Sequence, residues 1–428
     1  MAMASGDQNR RGTDAACPPL WPLETALERL LGAARPVGER ESVRLDQALG
    51  RVLAAPLPSG VPLPGWDNSA MDGYAVRAVD LPEPGRALRV TQRIPAGAVG
   101  VPVEPGCAAR IFTGAPVPPG ADAVVVQEVC VQDGDRVCVD ATVRAGQNIR
   151  RAGEEIGVGT EVLAAGTRLA PQHLGMAAAV GAAELSVKRR LRVAILATGD
   201  ELAMPGQPLA PGEIYNSNRF LLHSLLTTLG CEILDVGIVG DTLERTEAAL
   251  AEGASAADLV LVSGGVSVGE EDHVRPALER LGRVDLWNLA IRPGKPLVFG
   301  HIIGDGVEIP VIGSPGNPVA LFIVFCLLIR PFILRSQGVA GEVLPRPIWC
   351  EAGFDWPRPD KRREYVRARL QSGELGVSGR PRVVVYPSRS SAMISSLVWA
   401  EGLAVIPEGQ TLSAGEAVAF LPFSELLG

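Results

Sequence analysis

Asp258-Leu-Val-Leu-Val-Ser-Gly-Gly-Val-Ser-Val-Gly-Glu-Glu-Asp272 decides how this chain is read. The consecutive apolar residues Leu259 to Val262 have the pattern of a strand buried on both faces, as in a parallel sheet. The chain then turns through Ser263, Gly264, Gly265, Ser267 and Gly269 into a helical pattern from about Asp272 to Leu281. Small residues at the carboxyl end of a strand let backbone N–H groups approach a ligand, and a helix start there favours negative charge. In an open α/β sheet that edge is where ligands bind. A Gly-Gly turn alone is common, because glycine turns tightly. Here it has company: Thr198-Gly-Asp-Glu-Leu202, Pro293-Gly-Lys-Pro296 and Ser314-Pro-Gly-Asn-Pro318 close similar strands in the same region.

Outward from that stretch, residues 191–337 alternate strand and helix. Strands are expected at Arg192–Ala197, Glu232–Val239, Leu259–Val262, Val284–Ile291, Pro296–Phe299 and Val311–Ile312, and helices at Ser217–Leu229, Leu243–Ala254 and from Asn317 onward. Asn317 followed by Pro318 suits an N-cap and first helical position. The pattern predicts a doubly wound α/β domain. Residues 61–157 carry short β-rich runs between Gly/Pro turns and read as a small β domain. Residues 338–428 read as a second one. Residues 20–60 and 158–190 are expected to form a discontinuous mixed α/β linking domain, with helices at 22–31 and 45–54. The first 19 residues are polar and small and read as a disordered tail. The whole is a multidomain α/β plus β chain.

Composition narrows the function. The net charge of −8 and 4% aromatic residues disfavour a nucleic-acid surface. Seven scattered cysteines without a Cys-x-x-Cys pair fit a reducing compartment, and four dispersed histidines do not suggest a metal centre. Arg10-Arg11 lacks a following hydrophobic stretch, and the apolar run Val319–Ile329 is too short to span a bilayer. A cytoplasmic protein without a membrane span is expected.

The loops of the α/β domain share one chemistry. Ser263, Gly264, Gly265 and Ser267 offer phosphate-cradling donors, and Pro315, Gly316, Asn317 and Pro318 open another helix. Arg292 and Lys295 add positive charge. Asp200, Glu201, Asp241 and Asp272 are acids at or just after strand ends, each of which singly suits a helix cap or first turn. Together they fit a phosphate-bearing ligand with a divalent cation. No Walker lysine pattern is present.

These motifs carry a resemblance. Asp67-Asn-Ser-Ala-Met-Asp-Gly-Tyr-Ala-Val76, Thr113-Gly-Ala-Pro-Val-Pro118, Ala197-Thr-Gly-Asp-Glu-Leu202, Ser263-Gly-Gly-Val-Ser267, Pro293-Gly-Lys-Pro296 and Pro315-Gly-Asn-Pro318 appear in order. The chain resembles the MoeA family of molybdopterin molybdenumtransferases, which includes the E domain of gephyrin. The resemblance implies an elongated L-shaped subunit with four domains, in a homodimer whose α/β domain faces the partner's β domains across the cleft. It implies that adenylylated molybdopterin is hydrolysed with Mg²⁺, that molybdate is transferred to the dithiolene, and that AMP leaves. Glu201, Asp241 and Asp272 would hold Mg²⁺ or orient the pyrophosphate and water. Asp72 and Thr113 would complete the cleft, from the partner subunit. Ser267, Arg292, Lys295, Arg367 and Ser391 would bind pterin phosphate or molybdate. Against the family pattern, Asn288 and Arg292 stand where Lys is frequent, Glu155 where Asp is, and Ala320 where Ser is. Transient contacts with the molybdopterin adenylyltransferase and with cofactor acceptors are also implied. Two alternatives remain open at this point: tungstate insertion, and a gephyrin-like scaffold.

Overall fold

The protein, seen in a computed structural model, is described over residues 20–266, 272–304 and 306–428. It divides into two compact units, one of residues 40–187 and one of residues 20–39 with 188–428.

The 40–187 unit is built on a six-stranded sheet in the order Ala123–Val126, Gly73–Val76, Cys107–Ile111, Arg86–Ile94, Arg136–Val139, Cys130–Asp133. Side chains alternate between faces with period two, so neighbouring residues serve different cores. Tyr74, Val76 and Ala108 pack on one face, and Ala75, Ala109 and Ile111 on the other. A further cluster joins Val43 and Leu53 to Leu163, Leu169, Leu185 and Val187, so chain from both ends of the unit shares one core. The helix expected at 45–54 is absent. Only Leu45–Gln47 makes a 3₁₀ turn, and Gly50 turns with φ +74°. Val52 then bridges Arg168, and Leu53 bridges Val187. Long-range pairing overrides the local apolar spacing.

In the second unit the α/β sheet has the order Glu232–Val239, Arg192–Thr198, Leu259–Ser263, Val307–Ser314, Val298–Gly304, Gly282–Trp287. The first four strands are parallel and the last two join antiparallel, so the sheet is mixed. Leu259–Ser263 is buried throughout at its centre, as its apolar run requires. Helix Leu23–Ala33 belongs with this unit and not with the 40–60 segment. Its leading Trp21 donates to the Asn288 carbonyl at 3.1 Å and accepts from Ala290 at 2.8 Å.

Two further departures shape the site. The single strand expected at 284–291 is broken. Asn288 takes φ +63°, and Ile291–Arg292 leaves the α/β sheet to pair in parallel with Arg363–Glu364 of the C-terminal sheet. That C-terminal sheet closes on itself, because Arg363–Leu375 pairs with both Pro381–Val385 and Gly402–Ile406. Closure removes the free edges. The helix from Asn317 runs on to Ser336 through a π turn at Phe325–Ile329. Pro331 has no N–H to donate into the preceding turn, a local cause for the wider turn. By length and composition Pro318–Ser336 could cross a membrane, but 94% of that window is buried inside the fold.

Candidate active site

Parallel strands send all their carboxyl ends to one edge, and there the structure opens a cavity of about 710 Å³. Its floor is the Gly264–Gly265 turn. Gly264 has φ +97°, and a Cβ on it would meet the Thr198 carbonyl oxygen at 2.6 Å; on Gly265 it would meet Thr198 Oγ1 at 2.7 Å. Only glycine lets this turn sit against the neighbouring strand end. Gly264 N–H donates to the Ser314 carbonyl at 3.1 Å, and Asn218 Nδ2 donates to the Gly316 carbonyl at 2.7 Å. Three loops are thereby knitted together. Asn317 caps the next helix, its Oδ1 accepting from Val319 and Ala320 at 3.1 and 3.3 Å. The positive end of that helix is therefore at the cavity.

The acids arrive from two loops and a helix approach. Glu201 follows Gly199, where a Cβ would lie 2.5 Å from Glu201 Oε2, so glycine makes room for the carboxylate. Asp241 is tied to Asp200 by reciprocal bonds, at 3.0 Å to Asp241 Oδ2 and 3.2 Å to Asp200 Oδ1. Asp200 is thus a clip between loops, while Glu201, Asp241 and Asp272 all line the cavity. The lining also has a basic part. Arg292 stands there with Arg362 and Arg389 of the C-terminal sheet and its loops, beside Ser390 and Ser391.

Most of the residues singled out in the sequence meet here: Glu201, Asp241 and Asp272; Ser263, Gly264 and Gly265; Arg292; Pro315, Gly316 and Asn317; and Ser391. Others do not. Pro318 sits in the first turn of its helix and Lys295 is half-buried beside the cavity, its carbonyl accepting from Leu289 at 2.8 Å. Arg367 is 2% exposed, and its guanidinium is spent on Ser396 Oγ and the carbonyls of Ser388 and Ser390. Those bonds fold the loop that presents Ser391, and the side chain is not part of the cavity lining. Ser267 lies outside the described residues. Asp72 and Thr113 belong to the 40–187 unit, where Asp72 Oδ1 accepts from the Thr113 N–H at 2.8 Å and hydroxyl at 2.9 Å. Those bonds, the backbone one first, hold the Asp72 carboxyl below its ordinary pKa. A β domain of the same chain also takes part in the site. The chain's own C-terminal sheet lines this cavity, because 291–292 is one of its strands.

Sequence reasoning missed Arg362, Arg389, Thr198 and Asn218. Thr198 Oγ1 and Asn218 Oδ1 are buried without a hydrogen-bond partner, in side chains that line the cavity. Buried orphans of this kind mark a place where a polar ligand is expected. For a metal, no group of three His, Cys, Asp or Glu side chains stands ready among the described residues. The Glu201, Asp241 and Asp272 trio is therefore not a closed cage. Mg²⁺ characteristically uses one or two carboxylates with substrate phosphates and waters, and this donor set fits that mode.

Comparison with known proteins agrees over most of the chain. Residues 21–181 match the MoeA N-terminal region (domain I and II), 194–335 a probable molybdopterin binding domain, and 350–423 the MoeA C-terminal region (domain IV). The chain belongs to the MoeA family. The molybdopterin molybdenumtransferase of Haemophilus influenzae is 37% identical over 91% of this chain and 95% of its own length. Molybdopterin molybdenumtransferase 2 of Mycobacterium tuberculosis is 37% identical over 90% and 94%. A crystal structure of the MoeA protein of Pyrococcus horikoshii OT3 superposes with a TM-score of 0.80 at 28% identity, covering 94% of this chain and 100% of that one. In this MoeA-family chain the cavity joins two of the matched regions, the molybdopterin-binding domain and domain IV.

Proposed function

We propose that the chain is a molybdopterin molybdenumtransferase that takes adenylylated molybdopterin and molybdate, releases AMP, and yields the molybdenum cofactor. One observation carries this reading: three carboxylates and three guanidiniums line one cavity together with a tight glycine turn. A phosphoanhydride with a metal suits the carboxylates, and an oxyanion suits the guanidiniums. Asp241 and Asp272, with Glu201, would hold Mg²⁺, which when bound neutralises phosphate charge. The Gly264–Gly265 turn and the helix start at Asn317 would seat the phosphates, and Arg292 and Ser391 would orient the oxyanion. The reading includes a cytoplasmic homodimer, with Asp72 and Thr113 supplied by a second copy, and transient contact with the enzyme that adenylylates molybdopterin and with cofactor acceptors.

The test is AMP release from adenylylated molybdopterin with Mg²⁺ and molybdate, comparing wild type with Asp272→Ala. Molybdate-dependent release that is lost in the variant supports the reading. A folded protein that binds the substrate and never turns it over would instead indicate a scaffold. Release driven by tungstate and not by molybdate would keep the chemistry and change the metal.

A further inference from the structure

The basic wall has a hidden second layer. Arg292, Arg362 and Arg389 line the cavity, whereas Asp360 and Glu364 lie behind them, with side chains 14% and 5% exposed. Asp360 holds two guanidiniums: Arg292 Nη1 at 2.9 Å, and Arg362 through Nη2 at 3.0 Å and Nε at 3.1 Å. Its geometry is itself fixed, since Asp360 Oδ1 accepts from the Arg362 N–H at 3.0 Å. Glu364 holds Arg389, whose Nη2 is 2.6 Å from Oε1, and its other oxygen accepts from Trp356 Nε1 at 2.7 Å. Arg389 also lies over the Trp356 ring, with Cζ 4.1 Å from the ring centroid. Each carboxylate thus has one anchor besides the guanidiniums it holds: the Arg362 N–H for Asp360 and the Trp356 indole N–H for Glu364.

The charge arithmetic points toward a ligand. Within this cluster three arginines share two carboxylates, so one guanidinium charge is in local excess, while Glu201, Asp241 and Asp272 line other parts of the same cavity. A guanidinium has five N–H donors, and Arg389 spends one of them on Glu364. Unspent donors in fixed directions suit a compact oxyanion better than a flexible lysine would. Asp360 and Glu364 lie in an Arg-rich segment of the sequence.

We infer that Asp360 and Glu364 are positioning residues, which hold Arg292, Arg362 and Arg389 as one preorganised wall for a compact, multiply charged oxyanion. The inference rests on the proposed function for its substrate, where that oxyanion is either molybdate or a phosphate group of the nucleotide.

Full-length protein and its Asp360→Asn, Glu364→Gln and Arg389→Met variants would be titrated with sodium molybdate and, separately, with inorganic pyrophosphate. Intrinsic fluorescence is the readout, and Trp356→Phe identifies the share of the signal from the indole under Arg389. Asp360→Asn and Glu364→Gln are expected to weaken oxyanion binding about tenfold, and in turnover to raise the KM for that anion more than they lower kcat. In an Arg292→Met background the additional loss caused by Asp360→Asn should shrink to the share that acts through Arg362. Loss confined to molybdate or to pyrophosphate says which anion the wall serves. Unchanged affinity for both anions in folded Asp360→Asn and Glu364→Gln overturns the positioning role while leaving the proposed function standing. If wild type binds both anions but turns over no substrate, the proposed function fails and the wall stands. If wild type binds neither, the wall itself is refuted.

Discussion

Asp200 and Asp241 clasp each other: the Asp200 N–H donates to Asp241 Oδ2 at 3.0 Å, and the Asp241 N–H donates to Asp200 Oδ1 at 3.2 Å. Two strand-end loops are joined there, and one of the pair lines the cavity while the other does not. Asp200→Ala removes one arm of the clasp and leaves Asp241 itself in place. Global stability should fall by about 1 kcal/mol, the worth of an exposed hydrogen bond to a carboxylate. Activity should fall by more than stability explains, about tenfold, because the Asp241 backbone loses its anchor to the neighbouring loop, although its carboxylate keeps the Asp200 N–H. Urea unfolding and AMP release on the same preparation separate the two effects.

Gly264 cannot be replaced without cost. With φ +97° and the Thr198 carbonyl oxygen 2.6 Å from where a Cβ would sit, Gly264→Ala meets both backbone strain and a clash with main chain. The left-handed conformation alone costs roughly 1–2 kcal/mol. A lower melting temperature together with lost substrate binding is expected. Gly304→Ala is the matched control, since nothing lies within 4 Å of a Cβ there and its φ is not in the left-handed region.

Asn317→Ala uncaps the helix that begins at Pro318, freeing the N–H groups of Val319 and Ala320. The cost should be about 1 kcal/mol in chemical denaturation. Asn317→Asp keeps the cap and adds a negative charge at the cavity. It should restore stability yet weaken anion binding, which a pyrophosphate titration would show.

Acid sensitivity has a source outside the cavity. Burial pushes the Asp258 carboxyl up, but bonds from Arg189 and from the Arg192 N–H outweigh it and hold the group below its ordinary 3.8. Arg189 meets it with both terminal nitrogens, at 2.6 and 2.9 Å. A carboxyl depressed in the folded state stabilises the protein above its unfolded pKa, and that contribution is lost as pH falls through the folded value. Asp258→Asn should therefore cost roughly 1–3 kcal/mol near neutral pH. The gap from wild type should close as pH drops below 3.8. Urea midpoints measured across that acid range check the sign; a gap that widens toward acid would be inconsistent with it.

Much of the site could be read from residues alone. The apolar run Leu259–Val262 specified a buried central strand, and the glycines after it specified a turn that only they can make. Asn317-Pro318 specified a helix start, and Glu201 and Asp241 after strand ends and Asp272 before a helix marked one edge. Each of these signals is local: a periodicity, a cap or a φ value that few residues tolerate.

The basic wall was decided elsewhere. Asn288 at φ +63° ends one strand, so that Ile291–Arg292 pairs with Arg363–Glu364 instead of continuing in the α/β sheet. That pairing brings Arg362 and Arg389 into the cavity and puts Asp360 and Glu364 behind them. The C-terminal sheet also buries Arg367, and, separately, in the 40–187 unit long-range bridges from Val52 and Leu53 replace the helix expected at 45–54. Strand partners that are far apart in sequence are selected by packing and by which backbone groups still need a bond. Alternation along one strand states which face is buried but not which strand lies beside it. The sequence by itself determined the elements and the acidic, glycine-floored edge of the site; the pairing between distant strands determined what faces it.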